Sequence, residues 1–188
     1  MDLVLFGIQG SGKGTQAKRI AAAFGYDIFE AGGELRAIAA SGSSLGEIVK
    51  SYIDLGHLVP HEIIMQVVKE AMAKRSMDQK IIFDGIPRDA EQKRDFDAVM
   101  QEQGRDFTCL QILLDEEEAV CRILARAQKQ GRVDDADESI IRKRMATFHE
   151  KTEPVIASYN DAGKLIQVDG GGTVDEIYAR VTRALELA

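Results

Sequence analysis

Short runs in which nearly every position is apolar alternate along the chain with longer stretches in which apolar residues return every three or four positions. The short runs fall at 3–6 (LVLF), 80–84 (KIIFD), 107–114 (FTCLQILL) and 164–168 (KLIQV), with a shorter extended piece near 27–30. Strands that are apolar on both faces belong to a parallel sheet covered on each side by helices. The intervening stretches have the period to supply that cover. In the first of them Ala17, Ile20, Ala21 and Phe24 stand at i, i+3, i+4 and i+7, one helix face, and Gly25 ends it. The pattern predicts one doubly wound α/β domain with about five parallel strands. No repeat, low-complexity tract or linker divides it.

Two stretches fit such a core poorly. Residues 30–59 carry two short helical segments rich in Gly and Ser, Ala31 to Ala40 and Leu45 to Leu55, between early core elements. Residues 128–137, QKQGRVDDAD, form a polar connection between two helices. The expected organisation is therefore a core of 1–29, 60–125 and 138–188 within a single domain of 1–188, with an insertion at 30–59 and a short lid at 126–137.

Length and composition narrow the picture further. At 188 residues with 45% apolar content, the chain suits one domain with a real core. Lys and Arg number 24 against 31 acidic residues, so no global positive field recruits nucleic acid or an anionic membrane. No apolar stretch approaches the ~20 residues of a spanning helix, and the first apolar run lacks a basic leader, which predicts a cytoplasmic protein. Cys109 in a strand and Cys121 in a helix have no paired spacing and read as small core residues. His57, His61 and His149 are scattered, so a zinc site is not expected.

The chemistry begins where the first strand ends. GIQGSGKGTQ, from Gly7 to Gln16, sits between that strand and the first helix, the order of a phosphate-cradling P-loop. Gly7, Gly10 and Gly12 let the main chain fold around an anion so that N–H groups converge on it at a helix N-terminus. Lys13 adds a point charge for the outer phosphates. The fold class expected is thus α/β of the P-loop NTPase type. Gly14 follows Lys13 where a magnesium-ligating Ser or Thr is usual, and Thr15 comes one position late, so Mg²⁺ should be held mainly by nucleotide and water. A GTPase switch is disfavoured, because no guanine-reading Asn-Lys-x-Asp segment is present. Asp84 ends the 80–84 strand, where α/β proteins bind ligands, and beside a P-loop it is expected to orient water on Mg²⁺.

The ordered segments GIQGSGKGTQ, AGGELR (31–36), GHLVP (56–60), DGIPRDAEQ (84–92) and GRVDD (131–135) make the whole chain resemble the adenylate kinases, specifically the short-lid nucleoside monophosphate kinases. The resemblance implies a reversible transfer of the terminal phosphoryl of MgATP to AMP, giving two ADP. It implies that Gly10, Ser11, Gly12, Lys13, Gly14 and Thr15 surround the ATP phosphates. Arg122 and Arg126 match lid-base arginines that meet ATP, and Gly172 matches a backbone contact to its adenine. Arg132 and Arg144 match arginines that grip AMP and the moving phosphoryl. Ala31, Arg36, His57, Leu58, Val59, Gly85, Ile86, Pro87, Arg88 and Gln92 match the AMP site, with Gln92 reading adenine. Lys13, Arg88, Arg126, Arg132 and Arg144 would surround the transition state. Guanidinium suits that task because its planar fork grips two phosphate oxygens together. The implied partners are ATP and AMP, with Mg²⁺ as cofactor and no nucleic acid or membrane, and a monomer is the plainer expectation.

The chain departs from the family at several places. Ala31 stands where most adenylate kinases carry Thr and where UMP/CMP kinases often carry Ala, while Gln92 favours adenine over the Asn of UMP/CMP kinases. A UMP/CMP or broad-specificity kinase is the alternative, and a non-catalytic nucleotide-binding protein a more distant one. Gly33 replaces a usual Asp, and Glu30 occupies the preceding strand end. One extra residue between GRVDD and Arg144 shifts helical phase by ~100°. Either a bulge absorbs it, or Arg142 or Lys143 takes the role; the ten-residue spacing to Pro154 keeps Arg144. Gln9 replaces a common loop proline.

Overall fold

Residues 1–130 and 137–187 are described by the computed structural model of the chain, and among them five strands form one parallel sheet. The strands are β1 (Asp2–Phe6), β2 (Asp27–Glu30), β3 (Ile81–Asp84), β4 (Phe107–Leu113) and β5 (Leu165–Asp169), in the order β2-β3-β1-β4-β5. After β1 the chain fills one side of the sheet before β4 and β5 fill the other, so the loops after β1 and β3 open together at the carboxyl edge. Register aligns that edge. Asp84 lies beside Leu5 on one side and Glu30 on the other.

The period of two divides each strand between two cores. Val4, Phe6, Phe29, Ile81 and Phe83 point into one. It is covered by α4 (His61–Ala73), α5 (Ala90–Glu102) and α8 (Glu153–Asp161). Leu3, Leu5, Ile82, Leu110 and Ile112 point into the other, under α1 (Lys13–Phe24) and α9 (Val174–Ala184). In the first core the Phe96 ring meets Phe83 and Phe107 edge-on, with centroids 5.0 and 5.5 Å apart, the geometry aromatic quadrupoles favour. Helix α1 stops where expected: Gly25 adopts φ 71°, and its N–H returns to the Ala21 carbonyl. At the opposite edge, Arg105 grips both oxygens of buried Asp2, which also accepts from the Ile81 N–H. That pair joins the starts of β1, β3 and β4.

The excursion from β2 to α4 consists of α2 (Ala31–Ala39) and α3 (Ser44–Asp54). They cross at Gly46, where a Cβ would stand 2.6 Å from the Ile38 carbonyl. Helices α6 (Glu116–Gln130) and α7 (Glu138–Thr147) share a third core of Ala119, Val120, Ile123, Ile141 and Met145, which also holds Ile8 of the P-loop. A π-helical segment, Phe148–Thr152, leads from α7 into α8.

Cys109 is buried, and burial pushes its thiol up to about 12, whereas Cys121 is exposed on α6, contrary to the expectation that both are core residues. Ala119, Ile123 and Ala127 form the buried face of that helix, and 121 lies two residues round from it. Among the described residues no helix is long and apolar enough to cross a membrane.

Candidate active site

The P-loop wraps the end of β1 because two of its glycines admit no side chain. At Gly7 (φ 140°) a Cβ would lie 2.5 Å from the Ile112 carbonyl, and at Gly10 (φ 87°) 2.7 Å from that of Ala119. The loop is therefore pressed against β4 on one side and α6 on the other. Lys13 opens α1, and its Nζ donates back to the carbonyls of Gly7 (2.7 Å) and Ile8 (3.0 Å) across the loop mouth. Burial pushes its ammonium down to about 8; Asp84 opposes the shift, and Arg88 and Arg126 add to it.

Asp84 closes the floor from the neighbouring strand. Burial raises its pKa, Lys13 works against that rise, and Glu30 reinforces it. Its Oδ2 lies 3.5 Å from where a Cβ on Gly14 would stand, so carboxylate and P-loop helix face one space. Gly85 (φ 86°) then turns the chain, and the Arg88 Nε donates to its carbonyl at 2.8 Å. Asp89 caps α5 by accepting from the Gln92 N–H, Gln92 Oε1 accepts from the Arg88 N–H, and the Gln92 amide donates to Asp89 Oδ2 at 3.3 Å. This turn is fastened from outside by Thr152, whose hydroxyl donates to the Arg88 carbonyl at 2.8 Å. Burial lowers the Arg88 guanidinium, Asp84 opposing and Arg144 and Arg36 adding to it, so three arginines converge here.

The acceptor-side segment rests on α7. His57 Nε2 lies 3.1 Å from Lys143 Nζ, the Arg144 Nη2 donates to the Ile53 carbonyl at 3.5 Å, and a Cβ on Gly56 would stand 3.2 Å from Ile140. At the opposite end, both terminal nitrogens of Arg122 donate to the Gly170 carbonyl at 3.3 Å. The Gln16 amide donates to the Val174 carbonyl at 3.0 Å, which ties the P-loop helix to the start of α9, just after the loop containing Gly172.

One cleft of about 690 Å³ runs through all of these elements. Its wall passes from Gly10, Gly12, Lys13, Gly14 and Thr15 beside Arg122, Arg126 and Gly172, over Asp84, to Arg144 and the acceptor-side residues. Those residues are Ala31, Arg36, His57, Leu58, Val59, Gly85, Ile86, Pro87, Arg88 and Gln92. The Ser11 side chain is buried, close to where a Gly7 Cβ would be, and does not line the cleft, which leaves its main chain as the part that could meet a phosphate. Arg132 and the rest of GRVDD lie outside the described residues. Of the three cations that the extra residue left in question, Arg144 lines the cleft, Arg142 pairs with Glu117 and Glu138, and Lys143 faces His57.

The adenylate kinase family model matches residues 5–164, which contain this entire wall except the Gly172 loop. The chain belongs to the adenylate kinase family. It is 41% identical over 184 residues to an adenylate kinase of Thermus thermophilus, covering 97% of this chain and 96% of that one. An adenylate kinase of Phocaeicola vulgatus is 37% identical over 187 residues (99% and 98%), and one of Maricaulis maris 36% over 187 (99% of each).

Within an adenylate kinase fold, Gln16, Glu30, Phe148 and Thr152 also line the cleft, and the motifs did not assign them a place there. Gln16 and Thr152 act through partners 158 and 64 residues away, so no local spacing marks them. Among the described residues no group of three or more His, Cys, Asp or Glu side chains is gathered that could hold a metal. Asp84 facing Gly14 fits a cation that arrives with its own phosphate ligands.

Proposed function

We propose that the chain catalyses reversible transfer of the γ-phosphoryl of MgATP to AMP, giving two ADP. The observation that carries this reading is the continuity of one cleft from the P-loop to the acceptor turn, with Lys13, Arg88, Arg126 and Arg144 along it. An attacking phosphate near pH 7 is largely ionised, so no general base is needed. Positioning and charge neutralisation remain as the work of the protein. The glycine cradle would hold the donor phosphates, and Arg122, Arg126 and the Gly172 loop would hold the rest of ATP. Arg36, Arg88 and Gln92 would hold AMP. Lys13, Arg88, Arg126, Arg132 and Arg144 would spread the charge of the transferring group, where one arginine can be worth on the order of 10³ to 10⁵ in rate. Mg²⁺, carried by nucleotide and water, would neutralise the donor phosphates, and Asp84 would orient its water.

The 30–59 and 126–137 segments would close over AMP and ATP respectively, keeping water from the phosphoryl group. We take the working form to be a cytoplasmic monomer, expected to run in solution near the 20.7 kDa of one chain. The decisive assay measures ADP formation from ATP with AMP, CMP, UMP and GMP in turn. AMP should give the highest kcat/KM. Faster turnover of CMP or UMP would replace this reading by a pyrimidine kinase, and no turnover of any of them by a binding protein.

A further inference from the structure

The acceptor end of the cleft holds a carboxylate for which the reaction just proposed has no use. Glu30 is the last residue of β2 and directly precedes α2, yet its side chain makes no capping bond to that helix. It turns instead toward Arg36, whose Nη2 donates to Glu30 Oε1 at 2.9 Å. Two glycines flank this pair. A Cβ on Gly32 would stand 3.0 Å from Arg36 Nη1, and one on Gly33 3.5 Å from the Glu30 carboxyl. The carboxylate is thus held at the carboxyl end of β2. There it lies one strand from Asp84, at matched register, on the wall of the same cleft.

An acceptor phosphate that engages Arg36 therefore meets a guanidinium already shared with a carboxylate, in a pocket that also contains Asp84. The existing bond uses one nitrogen and both partners are partly solvated, at 35% and 43% side-chain exposure. A pair of that kind is weak. A dianion that can take the guanidinium fork through two oxygens competes well against it. With the carboxylate left in place beside it, the phosphate pays a repulsion that a neutral residue at 30 would not impose.

Resting on the reading of Arg36 as an acceptor-phosphate group, we propose that Glu30 is a positioning residue. It holds Arg36 until the acceptor phosphate displaces it, and its charge limits how tightly that phosphate binds. The test compares wild type, Glu30→Gln, Glu30→Asp and Glu30→Gln combined with Arg36→Ala, by calorimetric titration with AMP and by steady-state kinetics at two ionic strengths. The Gln variant is isosteric at a partly solvated site and is expected to fold. It should bind AMP about two- to fivefold more tightly, with the gain larger at low salt and KM for ATP unmoved. Glu30→Asp, which keeps the charge, should stay near wild type. Combined with Arg36→Ala, the gain should fall to less than half. Weaker AMP binding by Glu30→Gln, or an equal gain without Arg36, overturns the proposal and leaves the kinase reading standing. A wild-type chain that forms no ADP from ATP and AMP overturns both.

Discussion

Between Gly7 and Thr15 the cleft is bounded by a glycine-rich loop packed against β4 and α6, whereas from Ala31 to Gln92 an apolar and glycine lining carries charged and amide side chains, Arg36, Arg88 and Gln92, that already have partners. The donor end is held by contacts that leave no alternative: Gly7 and Gly10 sit against the Ile112 and Ala119 carbonyls with no space for a methyl group. At the acceptor end Arg36 leans on Glu30, Arg88 on the Gly85 carbonyl, and Gln92 on the Arg88 N–H and Asp89. Each of those bonds can be exchanged for one to a ligand. A rigid cradle suits the polyphosphate common to all nucleoside triphosphates, and an exchangeable wall suits an acceptor that must be told from its relatives.

The largest effect expected comes from the lysine of the proposed donor cradle. Lys13→Met should lower kcat by about 10³-fold or more if, as proposed, its charge is aimed at the moving phosphoryl. At pH 7.5 folding stability should change by no more than about 1 kcal/mol, because two carbonyls lose a donor while a buried ammonium is relieved. Stability against pH carries a sign. With the folded pKa near 8 and the ordinary value 10.5, the unfolded chain binds more protons between those values, so wild type gains stability across that window. The Lys13→Met protein lacks that gain. Urea unfolding of both proteins at pH 7.5 and 10, paired with an ADP assay, reads both effects; substantial residual catalysis sinks the donor-end assignment.

Gly10→Ala tests the rigidity of the cradle itself. With φ at 87° and a backbone carbonyl 2.7 Å from the new Cβ, the loop must move off α6 or α6 must move off the sheet. We expect a loss of about 2–3 kcal/mol in stability together with weaker ATP binding. The same substitution at Gly12, which has nothing within 4 Å of its Cβ position, should cost less. Equal costs at the two sites, measured by urea midpoint, would contradict the packing account and reduce the loop to backbone conformation alone.

The two ends were unequally legible in sequence for the same reason that they differ in structure. A main-chain cradle needs glycines at set positions between a strand and a helix, and that requirement is local, so Gly7, Gly10 and Lys13 declared themselves. The doubly wound sheet was equally local in origin, from apolar runs such as 80–84 and the helix face of Ala17 and Ile20. The acceptor wall was placed through its motifs, but its internal bonding was not. Glu30 bonds Arg36 six residues further on, beside Gly32 and Gly33, and Thr152 reaches the Arg88 carbonyl from a π-helical turn far along the chain. The exposure of Cys121 was available in principle, since Ala119, Ile123 and Ala127 mark the buried face of α6 at i, i+4 and i+8. Periodicity does not separate Arg144 from Arg142, which flank the buried Ile141 and Met145 face symmetrically; only their partners tell them apart, Glu117 and Glu138 for Arg142 and the Ile53 carbonyl for Arg144.

A smaller effect probes how the acceptor wall distinguishes bases. Ala31 is buried, and its Cβ lies 3.7 Å from where one on Gly85 would stand, so its methyl faces the acceptor turn. Ala31→Thr adds a hydroxyl there. The ratio of kcat/KM for AMP over CMP should rise about threefold to tenfold, the scale of one neutral hydrogen bond, with KM for ATP unmoved. A ratio that stays constant would locate base discrimination elsewhere, with Gln92 as the next residue to change.

The smallest effect belongs to a clasp that joins the two ends. His149 bonds Glu116 at the start of α6 through Nε2 (3.0 Å) and Glu153 at the start of α8 through Nδ1 (2.8 Å). Helix α6 carries Arg122 and Arg126 of the donor end, and the π-helical segment that contains His149 also contains Thr152, which holds the acceptor turn. Bonds to the two carboxylates raise the imidazole above its ordinary 6.5. A raised folded value means that its contribution is complete below the unfolded pKa and fades as pH climbs through the folded one. The stability gap between wild type and His149→Gln should therefore be widest near pH 6 and should shrink by pH 8.5, as read from urea midpoints. Since both carboxylates and the ring are partly solvated, the gap should also narrow in 0.5 M salt. A gap that widens with pH would mean that the ring is held as a neutral hydrogen-bonding group, and the two ends would then be joined by packing rather than by charge.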